Sequence, residues 1–238
     1  MERLARYQAG KDPYQTLRKN YRRAFLSAID STYQPYSITL PADYTPLKKY
    51  PLLLFLHGSG VTEEHVLDQE WNDGSCIVVA PLGRDLYGAY NSKTAQADIM
   101  EALHDVMKHF SVDEEKILIR GFSMGGYGAL RTFYEKPGLF KGVAVFSGHP
   151  DLINQWTDET LNPNFLLDKY LKVFNGVPVF IFHGVKDGIP YKLMEITAGR
   201  LRHPGAKVML ELDEEKGHEY PDKETMQKYL VWLKKCIN

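Results

Sequence analysis

The stretch IRGFSMGGYGAL, Ile119 to Leu130, sets a serine between glycines, directly behind an apolar run and ahead of a helix-like run. A strand that ends at Gly121 and a helix that starts near Ser123 leave room only for a sharp turn. Such a turn lifts the serine hydroxyl to the edge of a sheet. Gly121 and Gly125, two residues either side, relieve the crowding that side chains would cause there. The helix behind the turn offers N–H groups and the positive end of its dipole, which suit a developing negative charge on oxygen. A serine flanked by glycines is also an ordinary turn residue, so the surrounding sequence has to decide.

Outward from this stretch, apolar runs recur. PLLLFLH (Pro51 to His57) is a continuous apolar run, as a strand buried on both faces of a parallel sheet requires. CIVVAP (Cys76 to Pro81), KILIRG (Lys116 to Gly121), GVAVFSG (Gly142 to Gly148), VPVFIFHG (Val177 to Gly184) and KVMLEL (Lys207 to Leu212) repeat the theme. PYSITL alternates like a half-buried strand. Between them lie helical patterns: Ile99, Leu103, Val106, Met107 and Phe110 share one face, Ser123 to about Glu135 continues the opening stretch, and others cover Tyr191 to Leu201 and the chain from about Lys223. Tyr14, Leu17, Tyr21, Phe25 and Ala28 have near-helical spacing, which predicts a helix over about 13–28. The alternation of strand and helix predicts an α/β domain over 1–238: a mostly parallel central sheet with helices on both faces, right-handed crossovers, an N-terminal helical extension over 1–30 and a lid-like insertion over about 149–176.

The bulk numbers narrow the classes. The chain has 238 residues, 44% hydrophobic and 25% charged, with a net charge of −1. That balance fits a globular domain and gives no overall field toward nucleic acid or an anionic membrane. The basic LRKNYRR segment reads as a solvated helix face. No apolar run is long enough for a membrane span and no signal peptide is visible, which points to the cytoplasm unless a leader has been removed. Two cysteines, Cys76 and Cys236, exclude a disulfide framework but not one optional bridge. His104 and His109 are five apart, off the helical metal spacing, and no dinucleotide or phosphate loop occurs, so neither metal nor cofactor is implied. The oligomeric state is not legible.

In parallel sheets, functional groups gather just past the carboxyl ends of strands. His57, Arg84, Ser123, His149, Asp151, His183 and Asp187 lie there, and His218 a little beyond its strand. A serine hydroxyl needs a base, and the base needs an acid to orient it. On this kind of sheet the order along the chain is serine, acid, histidine. Asp187 in FHGVKDGIP and His218 in EKGHEYP follow Ser123 in that order, each after its own strand. Asp151 is the rival acid. An oxyanion hole needs two N–H donors. Met124 follows the nucleophile, and FLHGSG supplies the second at Ser59, with Gly60 the alternative. His57 then reads as a structural residue of that loop.

YPLLLFLHGSG, GFSMGGYGALR, FHGVKDGIP and KGHEYP resemble the α/β-hydrolase superfamily. More narrowly they resemble its esterase branch, which shares a catalytic domain with prolyl oligopeptidase-like and polyhydroxybutyrate-depolymerase-like proteins. APLGRDLYGAYNSKTAQADI and VDEEKILIRGFSMGGYGA look like the same branch, and the resemblance runs from about Tyr33 to the C-terminus. It implies a Ser123–Asp187–His218 hydrolase with Met124 and Ser59 as oxyanion donors, acting on carboxylic esters through an acyl-enzyme. The alternatives are a prolyl oligopeptidase-like peptidase and a non-catalytic binding protein of the same fold. A peptidase would need acids for a peptide N-terminus, and Glu63 and Glu64 are the nearest; no propeller precedes the catalytic part. For the substrate pocket the sequence offers Arg84, Tyr87 and Tyr90 in LGRDLYGAYNS and Trp156 in the insertion. Aromatic walls suit a small-molecule or carbohydrate-linked ester, such as an acetylated or feruloylated sugar.

Overall fold

In the computed structural model, residues 2–10, 21–68, 74–153 and 162–238 are described. Among them eight strands form one sheet in the order β1-β2-β4-β3-β5-β6-β7-β8. The strands are β1 (Tyr21–Leu26), β2 (Tyr33–Thr39), β3 (Tyr50–Leu56), β4 (Ile77–Pro81), β5 (Val112–Phe122), β6 (Val143–Phe146), β7 (Pro178–Gly184) and β8 (Lys207–Asp213). β1 pairs antiparallel with β2 and β2 with β4; every other pairing is parallel. The helices are α1 (Glu2–Gln8), α2 (Lys93–His109), α3 (Met124–Glu135), α4 (Tyr191–Arg202) and α5 (Lys223–Ile237).

The apolar run of β3 divides residue by residue between two cores, as the two-residue period of a strand demands. Leu52, Leu54 and Leu56 point into a cluster with Ile99 and Leu103 of α2, Leu130 of α3 and Met194 of α4. Leu53 and Phe55 point the other way, to Tyr229, Trp232 and Leu233 of α5. Helices therefore cover both faces, and the α/β-hydrolase architecture expected from the sequence is present. Ser92 caps α2 by accepting the Ala95 N–H, and Asp222 caps α5 by accepting the Thr225 N–H, each satisfying an orphan donor of the first turn.

The predicted helix over 13–28 is corrected. Residues 11–20 lie outside the described residues, and Tyr21–Leu26 is an edge strand pairing Tyr21 with Ile38 and Phe25 with Gln34. Tyr21 and Phe25 are four apart, which places them on one face of a helix and equally on one face of a strand. Arg23 between them decides for the strand: it also turns inward, bridging to Asp105 at 3.2 Å and lying 5.3 Å from the Phe110 ring centroid. Arg22 turns the other way onto Glu63, at 2.6 Å. The basic segment is thus partly spent on internal ion pairs.

The insertion over about 149–176 divides. Residues 154–161, Trp156 among them, lie outside the described residues. Phe165, Leu171 and Phe174 are fully buried. Phe174 stacks on Phe133 of α3 at 4.7 Å and Phe165 meets Tyr127 edge-on at 5.8 Å. That half of the insertion is part of the core. No helix among the described residues is long and apolar enough to cross a membrane. Cys76 and Cys236 remain thiols.

Candidate active site

Because β3 to β8 run parallel, their carboxyl ends share one edge, and the loops leaving them build the site. Ser123 occupies the turn from β5 into α3 with φ 54° and ψ −119°, a positive-φ conformation that costs a serine on the order of 1–3 kcal/mol. Its N–H donates to the Phe146 carbonyl at 2.8 Å, and its carbonyl accepts the Gly126 N–H at 2.9 Å. The two flanking glycines are sterically required: a Cβ on Gly121 would collide with the backbone of Gly125, and one on Gly125 with the Leu56 carbonyl.

The loops after β7 and β8 converge on this serine. A Cβ on Gly184 would strike the backbone of Lys216 and Gly217, and the Lys186 N–H donates to the Lys216 carbonyl at 2.9 Å, so the two loops lie against each other. His218 Nε2 is 2.8 Å from Ser123 Oγ. His218 Nδ1 is 2.9 Å from Asp187 Oδ2 and 3.0 Å from Oδ1. The Asp187 side chain is fully buried, whereas that of His218 is 39% exposed, so the carboxylate is shielded and the imidazole open. The Asp187 Oδ1 also accepts the Ile189 N–H at 2.8 Å. Asp187, rather than Asp151, stands at His218; the Asp151 N–H donates to His149 Nδ1 at 3.0 Å. Phe122 supports the imidazole, with ring centroids 5.1 Å apart, and packs in turn on Tyr220 at 4.1 Å.

The loop after β3 passes directly beside the serine: a Cβ on Gly58 would lie 3.5 Å from Ser123 Cβ and 3.2 Å from the Phe122 ring. The Gly60 N–H is committed to the Leu86 carbonyl at 2.9 Å. Ser59, the other donor considered, stands between Gly58 and Gly60 in this loop, and Met124 opens α3 directly after Ser123. His57 is buried, with Nδ1 2.8 Å from the Gly58 carbonyl and Nε2 3.0 Å from the Leu82 carbonyl. It ties the β3 loop to the β4 loop, as a structural residue should.

Two of the pocket expectations are corrected. Arg84 does not face the cleft. Its guanidinium reaches Asp30 at 2.5 Å, Asp98 at 2.7 Å and the Ser27 hydroxyl at 2.9 Å, so its charge is already matched inside the protein. The Thr32 hydroxyl and Arg84 hold the Asp30 carboxyl down at about 2. Tyr90 is fully buried, and its hydroxyl accepts the His57 N–H at 2.9 Å. Its ring fills the space left by Gly83 and Gly128. Tyr87 remains at the rim: it is 65% exposed, and its hydroxyl lies 3.4 Å from where a Gly60 side chain would begin.

Sequence reading missed several residues. Asp98 is a buried acid on α2, between Ala95 and Ala102 at helical spacing, and a polar residue on an apolar stripe was the available signal. Arg120, on β5 just before the serine turn, is fully buried with its guanidinium 4.1 Å from Phe55, 4.6 Å from Phe146 and 5.1 Å from Tyr229 ring centroids. Only the fold shows that those rings surround it. Among the described residues no group of three or more His, Cys, Asp or Glu side chains could hold a metal ion.

This geometry can be set beside known proteins. A search of curated proteins finds no match to this sequence. Among solved structures, the chain is similar to a thermostable esterase at 20% identity and TM-score 0.65, covering 92% of this chain and 60% of that one. It thus spans about three-fifths of that protein's length. It is similar to an S-formylglutathione hydrolase from Agrobacterium tumefaciens at 14% identity and TM-score 0.72, covering 92% and 95%. A ferulic acid esterase matches at 18% identity and TM-score 0.71, covering 92% and 98%. At these identities the likeness establishes the fold. The family follows from the sequence itself: residues 32–173 match the family model Esterase, described as "Putative esterase". That match spans more than half of the chain and takes in the β3 loop and the serine turn, so the chain belongs to the Esterase family.

Proposed function

We propose that the protein hydrolyses carboxylic esters through a serine triad and an acyl-enzyme. Ser123 attacks the ester carbonyl as His218 Nε2 takes its proton. Asp187 holds the His218 tautomer with Nδ1–H toward the carboxylate and stabilises the imidazolium that forms. The Met124 and Ser59 N–H groups receive the charge that develops on the carbonyl oxygen. His218 then protonates the leaving alcohol. Water, activated by the same histidine, releases the acid. The observation that carries this reading is the unbroken line of contacts, 2.8 Å from Ser123 Oγ to His218 and 2.9 Å from His218 to Asp187.

The substrate reading rests on Tyr87. It is exposed beside the Gly60 loop, where an aromatic face suits an aryl acyl group or a sugar ring. Aryl- or carbohydrate-linked esters, such as a feruloylated or acetylated sugar, fit it. The peptidase alternative loses its acids: Glu63 is fully buried on Arg22 at 2.6 Å, and Glu64 lies 3.5 Å from the same arginine. The test is hydrolysis of acetyl, butyryl, octanoyl and feruloyl esters beside a proline-containing dipeptide anilide. Ester turnover with little anilide cleavage is expected; the reverse ranking refutes the ester reading.

A further inference from the structure

Asp187 carries a second histidine. His183 is the last residue but one of β7, and its side chain is fully buried. Its Nε2 lies 3.0 Å from the Ile189 carbonyl and 3.3 Å from Asp187 Oδ2. A carbonyl and a carboxylate only accept, so Nε2 must carry the hydrogen and Nδ1 the lone pair. Burial pushes the His183 imidazole below the ordinary histidine range, which keeps it neutral. The neutral Nε2–H thus donates to the Ile189 carbonyl, two residues beyond the acid, with the Asp187 carboxylate as a charged neighbour at 3.3 Å.

We propose that His183 is a positioning residue of the triad, whose Nε2–H holds the Ile189 backbone and, through the Ile189 N–H on Oδ1, the Asp187 carboxylate at the angle that His218 requires. The proposal rests on Asp187 being the triad acid. The Asp187 carboxylate has two oxygens and three neighbours. Oδ1 accepts the Ile189 N–H at 2.8 Å and Oδ2 faces His183 at 3.3 Å, while His218 Nδ1 sits between the two oxygens at 3.0 and 2.9 Å. With Oδ1 fixed by the Ile189 N–H and His218 Nδ1 set between the two oxygens, the carboxylate cannot rotate about its Cβ–Cγ bond without losing one of these contacts. The same Nε2–H closes the segment 183–189 onto itself, while the Asp187 N–H donates to the Gly184 carbonyl at 3.2 Å. Without His183 the Ile189 carbonyl loses its donor, and the backbone that holds Oδ1 is free to shift. A small misplacement of a catalytic group is enough to cost roughly 100-fold in rate.

The neighbouring strand end offers a matching group. His149 is buried, and its Nδ1 accepts the Asp151 N–H at 3.0 Å, so its Nε2 carries the hydrogen in the neutral ring. Among the described residues that donor has no hydrogen-bond partner, and neither has the His183 Nδ1 acceptor. β6 and β7 are adjacent, with the Ser147 N–H on the Phe182 carbonyl at 2.9 Å, so the orphan donor and orphan acceptor belong to neighbouring loops. The tautomer of His183 is set by the two acceptors facing Nε2, the Ile189 carbonyl and the Asp187 carboxylate.

The experiment compares wild type, His183→Leu, His183→Gln and Asp187→Asn by steady-state kinetics on a short p-nitrophenyl ester, thermal melting and proton NMR of the His218 Nδ1–H. Glutamine keeps an N–H donor near the Nε2 position, and leucine keeps bulk only. The expected result for His183→Leu is a kcat lower by roughly 10- to 100-fold with KM within about twofold, and a displaced or broadened Nδ1–H resonance. His183→Gln restores most of kcat and the resonance position. A His183→Leu enzyme that melts earlier but keeps kcat and the resonance overturns the proposal, as does a His183→Gln enzyme no better than leucine at equal stability. An Asp187→Asn enzyme with full activity removes the triad reading on which the proposal rests, which separates that failure from the failure of His183 alone. If the leucine variant does not fold, the glutamine variant and its resonance carry the decision.

Discussion

The Arg84 guanidinium lies 2.7 Å from the carboxylate of Asp98, which is 2% exposed on the inner face of α2. This pair anchors the loop after β4 from below, and the same loop holds the Gly60 N–H from above through the Leu86 carbonyl. Burial raises the Asp98 carboxyl from 3.8 to about 6, against the opposing pull of Arg84. The folded protein therefore binds the Asp98 proton more tightly than the unfolded chain. The resulting stability is fully present below about pH 4 and is lost as pH rises through about 6. Asp98→Asn has no such dependence. The melting temperature of wild type relative to Asp98→Asn is expected to rise as pH falls from about 7 to about 5. A difference that stays constant or shrinks over that range contradicts the assignment.

Tyr90 offers a second test of the same junction. Its hydroxyl accepts the buried His57 N–H, and Tyr90→Phe leaves that donor without a partner. An unsatisfied buried donor costs about 1–3 kcal/mol. Chemical denaturation is expected to show a loss of that size, with the β3 loop loosened and kcat reduced. Unchanged stability would mean that the His57 N–H finds another acceptor.

The acid of the triad is tested by comparing Asp187→Asn with Asp151→Asn. The first is expected to lower kcat by on the order of 10⁴, as when the orienting acid of a triad is replaced. The second should leave kcat within a few-fold, because Asp187 and not Asp151 stands at His218. Loss of activity only in Asp151→Asn would exchange the two roles.

Selectivity is tested at Tyr87. Tyr87→Ala is expected to lower kcat/KM for a feruloyl ester relative to an acetyl ester by roughly 3- to 10-fold, the equivalent of an aromatic contact of about 0.5–1.5 kcal/mol. An unchanged ratio across the ester panel removes Tyr87 from the pocket wall.

The parallel strands were legible because a strand buried on both faces must be apolar throughout, and PLLLFLH could be little else. Helix α2 was legible through Ile99, Leu103 and Val106. The edge strand β1 was not, because Tyr21 and Phe25 satisfy helix and strand spacing alike, and only pairing with β2 separates the two. Ser123, Asp187 and His218 were singled out by their order and their places after strands, and in the structure His218 lies within hydrogen-bond distance of both of the others. Arg84 and Tyr90 were read as pocket residues because they follow a strand. Their true surroundings are supplied from far along the chain, by Asp30 and Asp98 for Arg84 and by His57 for Tyr90. Position after a strand says which edge a residue is near, not whether it points up to the cleft or down into the core.

The central claim, that Ser123 is a nucleophile activated by His218, is tested most directly by treating wild type and Ser123→Ala with a fluorophosphonate and locating the adduct by mass spectrometry, alongside ester turnover. The account predicts a single phosphonyl group on Ser123 with loss of activity. It predicts no adduct in a folded Ser123→Ala enzyme, whose kcat is lower by on the order of 10³ or more. A folded Ser123→Ala enzyme that hydrolyses short p-nitrophenyl esters at close to the wild-type rate, or an inactivating adduct on another residue, contradicts it.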